Sequence, residues 1–397
     1  MKKIGSIIIL FCAVAVIGQD IIDNPSKAVH PNAGRIIELN EVLQIREVPG
    51  KFQFVSPHNL KVNDQKEIFV LDRQQLLQFD SQGAFVRNYF RFGNGPGEVT
   101  SISNYQPFEN GLIIHGIPPK ILRYNDSGTL TQEIPIRTKV RLSDFQIFRE
   151  NRYFFMEKDW SQLSGNEKVL NIPLQFYSIH QNGETLTTYD AKLSARYFFA
   201  QAGGERAIIQ VDRQISVPWG KYLALTNTPD YLISLFDLDS GLIVRRIRRE
   251  YDRVRSKGSG SAEGPQISLG GKTYGRPNKD YEDDIVGLVA SGSNLWVINS
   301  RTTDSSSTHI DVFNKRGEFL DQFILRFKNG LPPKLFDKFQ LYVDGSDLYA
   351  IMRGVDEYYY IGKFQLKDEI PRPPNPRSTS SMRFLGSSGI LLGNRVR

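Results

Sequence analysis

The chain alternates short apolar runs with polar turns, and the alternation recurs six times. The first unit, Glu67–Gly83 (EIFVLDRQQLLQFDSQG), holds an apolar run closed by Asp72, a polar step, a second apolar run and a turn ending on Gly83. The leading run returns as Gly111–Gly116 (GLIIHG), Arg152–Glu157 (RYFFME), Lys221–Thr226 (KYLALT), Asn294–Asn299 (NLWVIN) and Asp347–Met352 (DLYAIM). The closing turn returns at Tyr124–Gly128, Ile179–Gly183, Phe236–Gly241 and Phe313–Gly317, while the sixth copy, Phe364–Glu369, lacks the glycine. Asp or Asn ahead of glycine supplies the left-handed backbone of a tight turn between strands. Short strands and tight turns at this interval predict a radial array rather than a doubly wound sheet. The fold class is therefore all-β, a six-bladed β-propeller over residues 35–369, with the repeated apolar run as its inner strand.

A propeller must close. The sixth repeat ends near Leu366 without an outer strand, and Arg35–Ile45 (RIIELNEVLQI) reads as a strand that precedes the first full repeat. An N-terminal strand completing the last blade would remove an exposed sheet edge. Blade three is expected over about 144–193 and blade four over about 214–251. Residues 19–34, polar and carrying Pro25, Pro31 and Gly34, read as a loose lead-in. Residues 253–280, rich in Gly, Ser and Lys, read as a long surface loop. Its GGKT at Gly270–Thr273 fails as a phosphate loop, because Gln266 stands where the first glycine is required and no apolar strand leads in. The Pro/Ser-rich stretch 370–397 reads as a flexible tail.

The ends decide the charge. The chain carries 50 Lys+Arg against 43 Asp+Glu, and without Lys2, Lys3 and the arginines beyond residue 370 it carries 43 of each. A balanced body gives no basic footprint for nucleic acid, so no nucleic-acid partner is expected. Residues 1–18 (MKKIGSIIILFCAVAVIG) place two lysines before an apolar run of signal-peptide length, short of the roughly 20 residues that span a membrane. The expectation is an exported protein, periplasmic or surface-associated, cut near Gly18–Gln19. Acylation of Cys12, the one cysteine, is the alternative, and only that would attach the chain to a membrane.

After the first repeat comes Gly93–Glu98 (GNGPGE). An apolar strand, an FDxxG turn, an outer strand and then GxGPGE resemble a six-bladed β-propeller family common in exported proteins of bacteroides-like bacteria, distantly related to NHL-repeat propellers. The resemblance covers roughly 36–366, strongest in the first blade. It implies the fold and export, and no catalytic residues.

Candidate chemistry is sparse. Among propellers, metal-dependent lactonases and lyases need His or carboxylate ligands converging on the channel. The five histidines, His30, His58, His115, His180 and His309, show no metal-pair spacing, and no GxSxG elbow is present. Three glycines around Pro96 allow close backbone approach at Gly93, Asn94, Gly95 and Gly97, with Glu98 the one acid in the link. Together with His58 these residues are the candidate ligand-binding group at the channel mouth; the competing role for Glu98 is a carboxylate that accepts loop amides and locks blade one to blade two. No metal site and no cofactor are expected, a divalent cation entering only if the chain is a channel-centred hydrolase or lyase. The Arg245–Arg249 cluster reads as a solvated strand face. Fold cannot choose between functions; the expected role is an envelope binding or scaffold module for a peptide, glycan or protein partner.

Overall fold

The computed structural model describes residues 20–108, 110–163, 168–183, 185–202, 204–256, 267–275, 277–301, 307–328, 341–354 and 356–366. The leader with Cys12, the double proline at 332–333, part of the 253–280 loop and the 370–397 tail lie outside them.

Six blades surround an axis. Their innermost strands are Pro57–Val62, Ser101–Phe108, Phe145–Arg149, Ile215–Trp219, Ile285–Ser291 and Leu341–Asp344. Each touches the next and the sixth touches the first, so the ring is closed. The repeated apolar runs are not these strands but the second ones out: Ile68–Asp72, Gly111–Ile117, Arg152–Lys158, Tyr222–Thr226, Asn294–Asn299 and Asp347–Arg353. The reason is burial. A second strand is covered on both faces by neighbouring blades, so it reads as a continuous hydrophobic run, whereas an innermost strand faces the channel and mixes polar with apolar residues. Six hydrophobic clusters of the described residues lie one at each seam between adjacent blades.

Closure follows the expected route with an addition. Asn40–Ile45 pairs antiparallel with Tyr359–Gln365, completing blade six. The first half of the same strand, Arg35–Leu39, pairs in parallel with Phe319–Phe327 of blade five, so one strand joins two blades into an eight-stranded sheet. The lead-in is not loose. Asp20–Asn24 pairs in parallel with Leu242–Arg249, the outer strand of blade four. Val29 and His30 then donate backbone hydrogen bonds to Phe319 and Leu320. Residues 20–45 thus form a belt over the outer edges of blades four, five and six, sealing strand edges that would otherwise stay open.

Blade three is also larger than expected. Lys168–His180 and Leu186–Ala202 are long, and Glu205–Gln210 adds a fifth strand. The 253–280 loop contains a hairpin, Ile267–Leu269 with Lys272–Tyr274, whose Leu269 and Tyr274 pack on Ala200, Ala207 and Ile209. Its turn is Gly270–Gly271, both at positive φ (55° and 79°), the geometry of a two-residue hairpin and not of a phosphate cradle.

Candidate functional site

The Gly93–Glu98 link packs on blade two, away from the axis. Glu98 accepts a hydrogen bond from the Gly95 amide at 2.9 Å. The Gly97 amide donates to Glu133 at 2.6 Å, and Lys120 bridges Glu133 (2.9 Å) and the Gly95 carbonyl (3.0 Å). Partial burial pushes the Glu133 carboxyl upward, but the Gly97 amide and the Lys120 ammonium outweigh it and hold it below its ordinary value. A Cβ on Gly93, at φ 154°, would come within 2.0 Å of the Glu98 carboxylate, so the close approach serves the loop's own acid. Gly93, Asn94, Gly95, Gly97 and Glu98 are absent from the cavity wall on the axis. His58 stands next to that wall, half-buried, with Nδ1 2.9 Å from the Ser56 carbonyl oxygen. The link and His58 are therefore not brought together.

The axis holds a cavity of about 780 Å³ to which all six innermost strands contribute. Its two halves differ. Blades one to four supply, among apolar residues such as Leu60, Ile147 and Val217, all the amides and amines of the wall, and several of these stitch one blade to the next. Asn59 donates to the Asn104 side-chain oxygen at 2.8 Å. Gln106 accepts from the Phe148 amide (2.6 Å) and donates to its carbonyl (3.3 Å), and Ser216 donates to Gln146 at 2.6 Å. Blades five and six supply Val286, Gly287, Leu288, Val289 and Ala290, then Leu341 and Tyr342.

Backbone irregularity aims the polar half. The innermost strands of blades one, two, three and five each carry a register shift against their second strand. In blade one the shift falls between His58 and Lys61, with Asn59 at φ 54°. Acids at the ends of second strands hold the incoming segments: Asp72 accepts from Val55 and Ser56, both at 2.7 Å, and Glu157 accepts from Ser143 and Asp144. Burial raises both carboxyl groups above their ordinary values.

Lys61 is the unusual group in the wall. Its ammonium donates to Asn104 Oδ1 at 3.1 Å and to the Tyr105 carbonyl, and lies 4.8 Å from the Tyr105 ring centre. No carboxylate pairs with it among the described residues, and burial pulls it down to about 7. The other wall cations have acids: Lys158 lies 3.3 Å from Asp144, and Arg213 lies 3.9 Å from Asp283. His115, tucked beneath Ser103, is a core histidine edge-on to Phe155, and burial lowers it to about 4.

A divalent cation does not fit this wall. Asp144 is its one carboxylate, already engaged by Lys158 and by Gln146 at 2.8 Å. Among the described residues no three His, Cys, Asp or Glu side chains gather in a metal-holding group.

Sequence reasoning missed Lys61, Asn104, Gln106 and Gln146. A signal existed: each lies in a short mixed segment just ahead of one of the apolar runs, where an innermost strand must fit.

Comparison with known proteins agrees with this architecture. Residues 31–213 match the model of a family described as a 6-bladed beta-propeller. A putative exported protein from Bacteroides fragilis superposes with a TM-score of 0.53 at 15% identity, over 88% of this chain and 100% of that one. A gluconolactonase from Xanthomonas campestris (TM-score 0.40, 12% identity, 85% and 100% covered) and a WD40 domain from Neurospora crassa (0.40, 9%, 79% and 90%) resemble it more loosely. No curated protein matches. No helix among the described residues is long and apolar enough to cross a membrane. The chain is a six-bladed β-propeller.

Proposed function

We propose that this chain is an exported envelope propeller that binds its partner, a peptide, glycan or protein segment, in the channel. The observation that supports this is the axial cavity, whose charged and amide side chains all come from blades one to four, among apolar ones, while blades five and six add apolar residues, glycine and Tyr342. Its size falls within the roughly 300–1,000 Å³ range of small-ligand sites. A pocket with its charged and amide groups confined to four blades and an apolar lining on the other two suits an amphipathic ligand. The hydrolase reading has less support, since the wall offers one engaged carboxylate and no metal-holding group among the described residues. Export rests on the leader at residues 1–18, and the likeness to a putative exported protein is in keeping with it.

The test is a panel of peptides and saccharides titrated by calorimetry against the mature protein and against Ala290→Trp, which fills the cavity from its apolar side. Binding by the parent and none by the folded variant supports the channel site. Equal binding by both places the site elsewhere.

A further inference from the structure

We propose that the channel captures the free C-terminus of a peptide ending in an apolar residue, with its carboxylate on Lys61 and its last side chain on the Val286–Ala290 wall. This rests on the reading of the channel as the binding site and names its ligand.

Three observations carry it. The first is an uncompensated donor. An ammonium has three N–H groups, and Lys61 uses two, on Asn104 Oδ1 and the Tyr105 carbonyl. The charged and titratable groups around it leave the third to a ligand. Asp144 is held by Lys158, Arg213 by Asp283, and His58 on the same strand by the Ser56 carbonyl. Tyr105 donates its hydroxyl to backbone carbonyls of blade one, and burial raises the Tyr342 phenol to about 12, which keeps it neutral. A carboxylate from outside is the group this amine lacks.

The second observation is the opposite wall. Val286, Gly287, Leu288, Val289 and Ala290 on one strand and Leu341 beside it line the cavity without a charged or amide side chain, while Val286, Val289 and Leu341 also pack in the seam of blades five and six and Leu288 in that of blades four and five. A ligand that places an anion on Lys61 and reaches blades five and six meets a lining without charged or amide side chains.

The third separates a peptide from a saccharide. Tyr342 is the one aromatic residue in the wall, so a sugar ring would find no broad stacking platform. The wall is instead rich in side-chain amides, the groups that pair with peptide N–H and C=O. Capture of a chain-terminal carboxylate is a recurrent recognition mode.

Calorimetry decides it with acetylated tetrapeptides ending in leucine, valine or phenylalanine, each as the free acid and as the C-terminal amide, alongside glucuronate and glucose. The free acids should bind at least about tenfold more tightly than the amides. Lys61→Gln should erase that preference with its melting temperature maintained. Lys61→Arg, which retains the charge at all working pH values, should keep the preference and show no weakening between pH 6 and 9. The parent should weaken over that interval as the amine loses its proton.

Equal binding of acid and amide, or a preference that survives Lys61→Gln, overturns the inference. So does glucuronate binding more tightly than every peptide, which would assign the channel to an acidic sugar. If amides or glucose bind in the cavity regardless of Lys61, the channel site stands and this inference alone fails. If nothing binds there, both fail.

Discussion

Two cations, one buried and one half-buried, mark two regions built on opposite logic. Arg249 lies in the seam between blades four and five, its guanidinium paired with Asp311 and stacked 4.5 Å from the Phe319 ring centre. The same Asp311 oxygen, Oδ2, also accepts from Tyr231 at 2.6 Å and Asn299 at 3.0 Å, so the contacts of the acid converge on it. Lys61 lies in the channel wall with amide and backbone oxygens around it and no acid. Desolvating a charge costs several kcal/mol unless a partner offsets it. The seam supplies that partner from the chain itself. The channel leaves it to be supplied, which is how a structural lock differs from a binding surface.

The largest effect should come from breaking the lock. Arg249→Met leaves the Asp311 carboxylate buried without its cation and should cost about 3–5 kcal/mol, read by denaturant unfolding. Pairing it with Asp311→Leu should recover much of that loss, because an apolar pair of similar volume tolerates the dry seam. A double variant no more stable than the single one would show that the seam depends on the ion pair itself.

The belt reinforces the same seam. Asn24 donates to the carbonyls of Arg248 (3.0 Å) and Gly317 (2.9 Å) and accepts from the Phe319 amide at 2.9 Å. Asn24→Ala strips these groups of their partner in a buried site and should cost about 1–3 kcal/mol. It should also speed hydrogen exchange along Leu242–Arg249. Unchanged exchange there would mean the belt does not support blade four.

Outside both regions, Glu98 holds its own loop. Glu98→Ala should cost about 1 kcal/mol, the worth of one hydrogen bond to the Gly95 amide, and leave ligand affinity unaltered. Loss of binding with full stability would return the Gly93–Glu98 link to the site.

These contrasts explain what could be read from the residues. The blade count and the closing strand were legible because second strands, buried on both faces, must be apolar throughout, and because Leu366 ends a repeat short of a strand. The channel wall was not, since Asn59–Lys61 and Asn104–Gln106 each set a single buried residue, Leu60 or Tyr105, between polar ones, too little for a hydrophobic period. The same blind spot drew attention to Gly93–Glu98, where glycines that close a loop on its own carboxylate look like glycines that admit a ligand. Arg249 was readable in principle: it lies two residues from buried Ile247, on the same strand face, and that inward position marks it off from exposed Arg248. The belt strand Asp20–Asn24 has only Ile21 and Ile22 as apolar content, and its pairing depends on the open edge of a blade more than 200 residues away.

The smallest change in stability at neutral pH should come from Lys61→Met, and its sign is the sharpest test of the comparison. Burial holds the folded-state pKa of Lys61 near 7, against 10.5 for the ordinary amine. Between those values the unfolded chain binds a proton that the folded chain has released, so stability rises with pH across this window. Below pH 7 both states are protonated, and the fold carries the full penalty of the unpaired charge. Lys61→Met removes that penalty, so the variant should match or exceed the parent near pH 6. The parent should then gain on it as pH climbs toward 10. Thermal melts at one-unit steps from pH 6 to 10, compared between the two proteins, give the difference directly. Arg249→Met should show no such crossover, because its loss is present at every pH in the range. A Lys61→Met protein that is uniformly less stable, with a difference independent of pH, would make Lys61 a structural cation like Arg249.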